Sequence, residues 1–414
     1  MSRKKTVALI SRADARGGGA SRVADDIAAL LHDDIDWAPR RYIGEFSPAS
    51  RATHRPIASR ASGLVGVART GLKRIGYVDH FPVELPFLHT GILSADVIHA
   101  HDITTVMAPA TLQMLARMRA LAGKQVIWTL HDMSPITGGC IYPIGCGGWR
   151  DGCGSCPMLD QWPFGSKIDH TAAMQKRRLQ VLRKGTIKLV SPSRWLARHI
   201  EAAVPEARVR VIPNGVDTAT FTPVRESGEE RNGDQAAPRL LFIANHIRDM
   251  RKGGTYISNI RQHVNAIGQD LELVVVGGGN DGAVVRQGHL TIRYLGRVDD
   301  KAALARAYRS TEALLLPTHA DNFPLVMTEA LACGLPVFAF DTGGIAEAVD
   351  ETCGSIRPTG QITGLLNDFL AARDAGILPR LAQQARLRVE ERYTMEAFAQ
   401  AHRELYAGSA RESR

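Results

Sequence analysis

Short apolar runs alternate with amphipathic segments along almost the whole chain. Thr6-Val-Ala-Leu-Ile10, Asp96-Val-Ile-His99, Gln125-Val-Ile-Trp-Thr-Leu130, Ile187-Lys-Leu-Val190 and Val209-Arg-Val-Ile212 read as strands of a first half. After a polar stretch at 224–238, with the composition of a linker, the rhythm restarts at Arg239-Leu-Leu-Phe-Ile-Ala244, Leu271 to Val276 and Thr291 to Leu295. Continuous apolar runs suit strands covered on both faces, joined in parallel by helical crossovers. The expectation is an α/β chain of two doubly wound, Rossmann-like domains, with the boundary near 215–238. A length of 414 residues supplies two full cores. The first helix is expected at 21–31 and a last amphipathic one at 393–406. Residues 44–76, rich in Ser, Arg, Gly and Pro, read as a mobile basic excursion.

No apolar run reaches 18 residues, and the one near the N-terminus is too short for a signal peptide, so a cytoplasmic protein is expected. The net charge of +9 is uneven: residues 1–214 hold 29 basic against 17 acidic residues, and the remainder 22 against 25. A basic first half either favours an anionic partner, such as an inner-membrane surface or a lipid-phosphate-linked acceptor, or is merely a basic surface. No nucleic-acid motif accompanies it, so no nucleic-acid partner is expected.

The densest chemistry lies at 313–340. The apolar run Ala313-Leu-Leu-Leu-Pro317 reads as a strand, Pro324 suits the start of a helix, and Gly334 and Pro336 end that helix. Glu329 is the one acid of the helix, and its neighbours at i±3 and i±4 are apolar. It must therefore find a partner or bear the cost of desolvation. Asp321, eight residues earlier, lies in the loop feeding the helix. Two carboxylates thus gather at the carboxyl end of a strand, where open α/β sheets bind ligands.

Asp321-Asn-Phe323-Pro324-x-x-x-x-Glu329-Ala330 resembles the acid-x7-acid motif of the retaining glycosyltransferases of family four, Glu-Gly-Phe-Gly-x-x-x-x-Glu-Ala. Asp replaces the first Glu, and both glycines differ. The resemblance implies a GT-B fold: an acceptor-side domain over 1–218, a nucleotide-sugar domain over 219–392, and a segment, 393–414, returning to the first. It also implies that Glu329 holds the donor ribose and Asp321 the sugar hydroxyls. His131, directly after the strand ending at Leu130 and followed by Asp132, would orient the reacting centre. Lys252-Gly253 matches the family's diphosphate-gripping pair, with Arg248 standing in for an Arg that falls out of register. Gly278, Arg297, Phe323 and Pro324 would line the donor, and Gly17, Gly18 and Gly19 would form the glycine loop before the first helix. Thr342-Gly343-Gly344 resembles a further glycine pair. Pro192-Ser193-Arg194 and Pro213-Asn-Gly-Val-Asp217 match family signatures and read as turn chemistry. Asp34-Ile-Asp36 is a formal Asp-x-Asp far from these loops, and no catalytic metal is expected.

Four of the six cysteines, Cys140, Cys146, Cys153 and Cys156, cluster in a Gly-rich loop over 138–157. Their spacing is compatible with a structural tetrahedral zinc site, with free thiols or with redox pairs. Cys333 and Cys353 read as packing residues. The pattern His-Asp…Cys…Cys-x-x-Trp…Gly-Cys-x-x-Cys-Pro resembles a subgroup of family four that serves bacterial surface polysaccharides of colanic-acid type. The function expected is retaining transfer, of hexosyltransferase type, from a nucleotide diphosphate sugar to a lipid-linked glycan. The rivals are a nucleotide-sugar epimerase or hydrolase, and a non-catalytic nucleotide-binding scaffold.

Overall fold

The computed structural model describes residues 3–58, 62–223, 237–246 and 249–408. The chain divides into two units, 1–212 with 401–414, and 213–400.

The first unit runs β1 Lys5–Ser11, α1 Gly19–Leu30, β2 Trp37–Ile43, β3 Arg55–Pro56, α2 Ser62–Arg74, α3 Thr90–Ser94, β4 Val97–Ala100, α4 Pro109–Ala120, β5 Gln125–Thr129, α5 Gly148–Asp151, α6 Thr171–Arg183, β6 Lys188–Ser191, α7 Arg194–Ala203 and β7 Val209–Val211. Its sheet has the order β3-β2-β1-β4-β5-β6-β7, and every pairing is parallel. The strand interiors Val7 to Ile10 and Val126 to Trp128 are buried, as a sheet covered on both faces requires.

The second unit holds β8 Arg239–His246, α8 Ile257–Ile267, β9 Leu271–Gly278, β10 Val284–Gln287, β11 Leu290–Gly296, α9 Lys301–Arg309, β12 Ala313–Leu316, α10 Leu325–Ala332, β13 Val337–Phe340, β14 Gly354–Arg357, α11 Ile362–Asp374 and α12 Leu378–Arg392. The order is β10-β11-β9-β8-β12-β13-β14, with only the edge strand β10 antiparallel. Each unit is thus a doubly wound sheet whose chain reverses direction across the sheet at its first strand.

Local chemistry sets the helix starts. Ser193 accepts the Leu196 N–H at 3.1 Å to open α7, and Asp300 accepts that of Ala303 at 2.7 Å to open α9.

One segment differs from expectation. Residues 44–76 contain α2, whose Leu64 and Val67 are exposed while Val65 is buried. Gly63, Gly66 and Gly71 weaken its helical signal. A long-range ion pair holds it, from Arg69 to the fully buried Glu84, which also accepts the Ala108 N–H at 3.0 Å. The last helix, α13 Met395–Ala407, carries residues of both units. Its final turns belong to the first, where Arg403 meets Asp34 at 2.7 Å and Tyr406 packs on Trp37. Asp34 also accepts the N–H groups of Asp36 and Trp37, so the Asp-x-Asp is a structural turn.

Among the described residues, no helix is long and apolar enough to cross a membrane.

Candidate active site

In the second unit, β8 and β12 are neighbours, and the chain leaves them toward opposite edges of the sheet. Their carboxyl-end loops therefore flank the topological switch point. The loop after β8 carries a short helical turn, Met250–Lys252; the loop after β12 carries Asp321. The two interlock. The carbonyl of Arg251 accepts the His319 N–H at 2.8 Å and the Thr318 hydroxyl at 3.0 Å, and Arg251 Nη1 donates to Ala320 O at 3.1 Å. Gly253 has φ +85°, and a Cβ there would lie 2.1 Å from Pro317 O, so a side chain would force the loops apart.

This interlock brings Lys252 Nζ onto Asp321 Oδ2 as an ion pair, with Arg251 Nη1 3.9 Å away. Burial pushes the Asp321 carboxyl upward, but Lys252 and Arg251 outweigh it and hold the group below its ordinary value. The site therefore keeps an ionised carboxylate between two cations. Gly343, at φ +63°, lets the next loop close over it: a Cβ there would stand 1.7 Å from Asp321 O. Gly344 N–H then donates to Asn322 O at 2.7 Å.

Pro324 occupies the N-cap of α10, one residue before the helix proper. Phe323 is buried against Tyr393, and its carbonyl accepts from Asn214 Nδ2 at 3.0 Å. Asn214, read from sequence as turn chemistry, thus braces the acid loop. Glu329 is 2 % exposed, and its Oε2 accepts from the Tyr308 hydroxyl at 2.8 Å. Tyr308 carried no sequence signal; only the packing of α9 against α10 supplies this partner.

The other donor-side expectations are spread more widely. Arg248 lies outside the described residues. Gly278 ends β9 at the same edge of the sheet. Arg297 is exposed and pairs with Asp299 at 2.7 Å, so its side chain is engaged away from the Lys252–Asp321 pair. Among the described residues, Arg251 stands beside Asp321.

In the first unit, Gly17 ends a short turn, Gly18 is the N-cap of α1 at φ +121°, and Gly19 begins the helix. Arg12 braces this loop, donating to Gly17 O at 2.6 Å while pairing with Asp102 at 3.1 Å and Glu45 at 2.9 Å. His131 and Asp132 follow β5, beside the loop after β4 that carries His101 and Asp102. His101 Nδ1 and His131 Nε2 share a hydrogen bond of 3.0 Å. Behind them His99 bonds Tyr406 at 2.8 Å and Thr129 at 2.7 Å. Burial, with the other imidazoles adding, holds His99 and His101 well below the ordinary histidine range. His131 keeps an accessible edge, yet its dense surroundings and His402 bring it down to about 3. It is a neutral imidazole at physiological pH. Asp132 goes the other way, pushed up to about 6 by burial, with Asp102 adding, against the Ser134 N–H bond at 2.7 Å. His101-Asp102 repeats the His131-Asp132 pattern at the end of the adjacent strand; that repetition was the signal available in the sequence.

The loop over 138–157 holds free thiols. Burial pushes Cys140 up to about 12, against a bond from Thr137. Cys140, Cys146, Cys153 and Cys156 line one cavity of about 320 Å³. Among the described residues, no three His, Cys, Asp or Glu side chains are gathered to hold a metal as they stand. Cys333 and Cys353 are buried in the second unit's core.

Residues 17–220 match Glycosyltransferase Family 4, and residues 237–371 match Glycosyl transferases group 1. The chain thus carries a glycosyltransferase family 4 match followed by a group 1 glycosyl transferase match. The chain is 32% identical over 242 residues to WcaC of Escherichia coli K12, named as a colanic acid biosynthesis glycosyl transferase, covering 55% of each protein. It spans about half the length of the curated relatives it matches. Among solved structures, a sucrose-phosphate synthase of Thermosynechococcus elongatus aligns with TM-score 0.65 and 19% identity, over 98% of this chain and all of that one. HepE of Anabaena in complex with UDP-glucose aligns with TM-score 0.62 and 13% identity, over 97% and 99%. These likenesses place the chain in the GT-B fold.

Proposed function

We propose that this chain transfers a sugar, with retention, from a nucleoside diphosphate sugar to a hydroxyl of a lipid-linked surface glycan. The observation that carries the reading is the Lys252–Asp321 pair with Arg251, set at the switch point one loop ahead of buried Glu329. A diphosphate leaving group develops charge as the glycosidic bond breaks, and paired cations at a strand-end loop stabilise it. Lys252 and Arg251 take that role, Glu329 holds the ribose, and Asp321 holds sugar hydroxyls. The donor C–O bond to phosphate breaks while the acceptor oxygen attacks from the same face. The acceptor proton leaves with the diphosphate. Neutral His131 donates or accepts one hydrogen bond at the reacting sugar and carries no charge of its own.

Support for the donor class comes from the HepE complex with UDP-glucose, and for the acceptor class from the naming of WcaC for colanic acid. The basic first half suits an acceptor bearing phosphate at an anionic membrane surface. The test is calorimetric titration with UDP-, GDP- and dTDP-sugars, using Glu329→Gln and Lys252→Met as controls. One nucleotide class should bind wild type and be weakened at least about tenfold, roughly 1.4 kcal/mol, in both variants. Binding equal in wild type and both variants would refute the site.

A further inference from the structure

The Cys-rich loop belongs to the first unit, and the Lys252–Asp321 pair to the second. The loop contains little regular structure beyond the four residues of α5. Polar side chains from α6 and the segment before it tie it down. Gln175 accepts the Cys153 N–H at 2.8 Å and donates to Ile136 O at 3.0 Å and Trp149 O at 2.6 Å. Asp169 accepts the Cys156 N–H at 2.8 Å. Arg178 reaches Ser134 O and Thr137 O at 3.1 and 3.2 Å. These bonds fix the backbone at both members of the Cys153-x-x-Cys156 pair. Gly152 and Gly154, at φ +125° and +142°, turn the chain on either side of Cys153. The result is four thiols from three separate stretches of chain, facing one cavity of about 320 Å³.

We infer that this cavity is a structural site for one soft divalent cation, zinc above all, held by Cys140, Cys146, Cys153 and Cys156. Four thiols bordering one cavity supply the ligand number and type that a tetrahedral zinc–thiolate site takes, at a zinc–sulfur distance of roughly 2.3 Å. The thiols do not converge as they stand, so binding the ion would draw them together. A tetrathiolate leaves no open position, so the ion organises the loop and performs no chemistry. Its effect would reach His131 through the backbone: Tyr142 donates to His131 O at 3.2 Å, Met133 N–H donates to Ile141 O at 2.9 Å, and the Thr137 hydroxyl donates to Cys140 O at 2.7 Å. The inference stands independently of the transfer reading.

The test uses the full chain, purified without chelator and, in parallel, reduced and reconstituted with Zn²⁺ or Co²⁺ alone. Elemental analysis should give about one ion per chain, and X-ray absorption should show a sulfur-only shell at about 2.3 Å. The double variant Cys153→Ser/Cys156→Ser should lose the ion, and Cys333→Ser should keep it. Reconstituted wild type without a stoichiometric ion would overturn the site, whatever the variants do. So would a shell of oxygen and nitrogen, an ion retained by the double variant, or the four thiols recovered as two disulfides.

Discussion

Acidification should unfold the first unit well before it affects the second. His99, His101 and His131 are all held below the ordinary histidine value by burial in the folded unit. In the unfolded chain they titrate near 6.5. Below that pH the unfolded state binds more protons, so stability present above it is lost as pH falls. Between pH 7.5 and 5.5 each fully neutral imidazole costs about 1.3 kcal/mol, and His131, partly exposed, contributes somewhat less. The three together give roughly 3.5 kcal/mol. Asp132 acts in the opposite direction. Its folded value of about 6 lies above the unfolded 3.8, so the folded state takes up its proton first. Protonation there returns about 0.8 kcal/mol over the same interval. The net loss is about 3 kcal/mol, which moves a urea midpoint down by about 1 M or more. The carboxylates with lowered values, Asp25, Asp34 and Asp321 among them, lose their contribution only as pH falls below the carboxylate range, outside this window. All five tryptophans, Trp37, Trp128, Trp149, Trp162 and Trp195, lie in the first unit, so their fluorescence reports it alone. His101→Gln should remove about 1.3 kcal/mol, somewhat under half, of that net pH dependence. A midpoint equal at the two pH values, or higher at 5.5, would refute the reasoning.

Three further outcomes follow from the second unit. Tyr308→Phe removes the hydroxyl that Glu329 Oε2 accepts at 2.8 Å and should destabilise that unit by about 2 kcal/mol in hydrogen-exchange measurements; a change under about 0.5 kcal/mol would show the bond to be incidental. Gly343→Ala drives a Cβ to 1.7 Å from Asp321 O at φ +63°, so donor binding should vanish and the unit should lose about 3 kcal/mol, with tryptophan-detected unfolding of the first unit unchanged. Lys252→Met leaves Asp321 with Arg251 at 3.9 Å, so the carboxyl should titrate higher, visible as a new acid limb in donor affinity that wild type lacks.

The parallel strands, the linker composition and the eight-residue spacing of Asp321 and Glu329 could be read from the chain alone. Each is a local pattern: apolar runs, turn residues, one acid on an apolar helix face. Lys252-Gly253 was legible for the same reason, as a cation beside a glycine at a strand end. What these residues touch depends on contacts distant in sequence. Lys252 meets Asp321 across 69 residues, Asn214 reaches Phe323 across 109, and Tyr406 reaches His99 across 307. The choice of Arg251 beside Asp321 came from the interlocking of two strand-end loops, a tertiary event without a spacing rule. The same holds for α2: three glycines hid its helix, and an ion pair to buried Glu84 holds it in place. His131 could be named from the sequence, but its neutrality could not. The sequence places an imidazole at the end of β5. Only the packed fold, by excluding water and stacking His101, His99 and His402 behind it, decides which protonation state it holds.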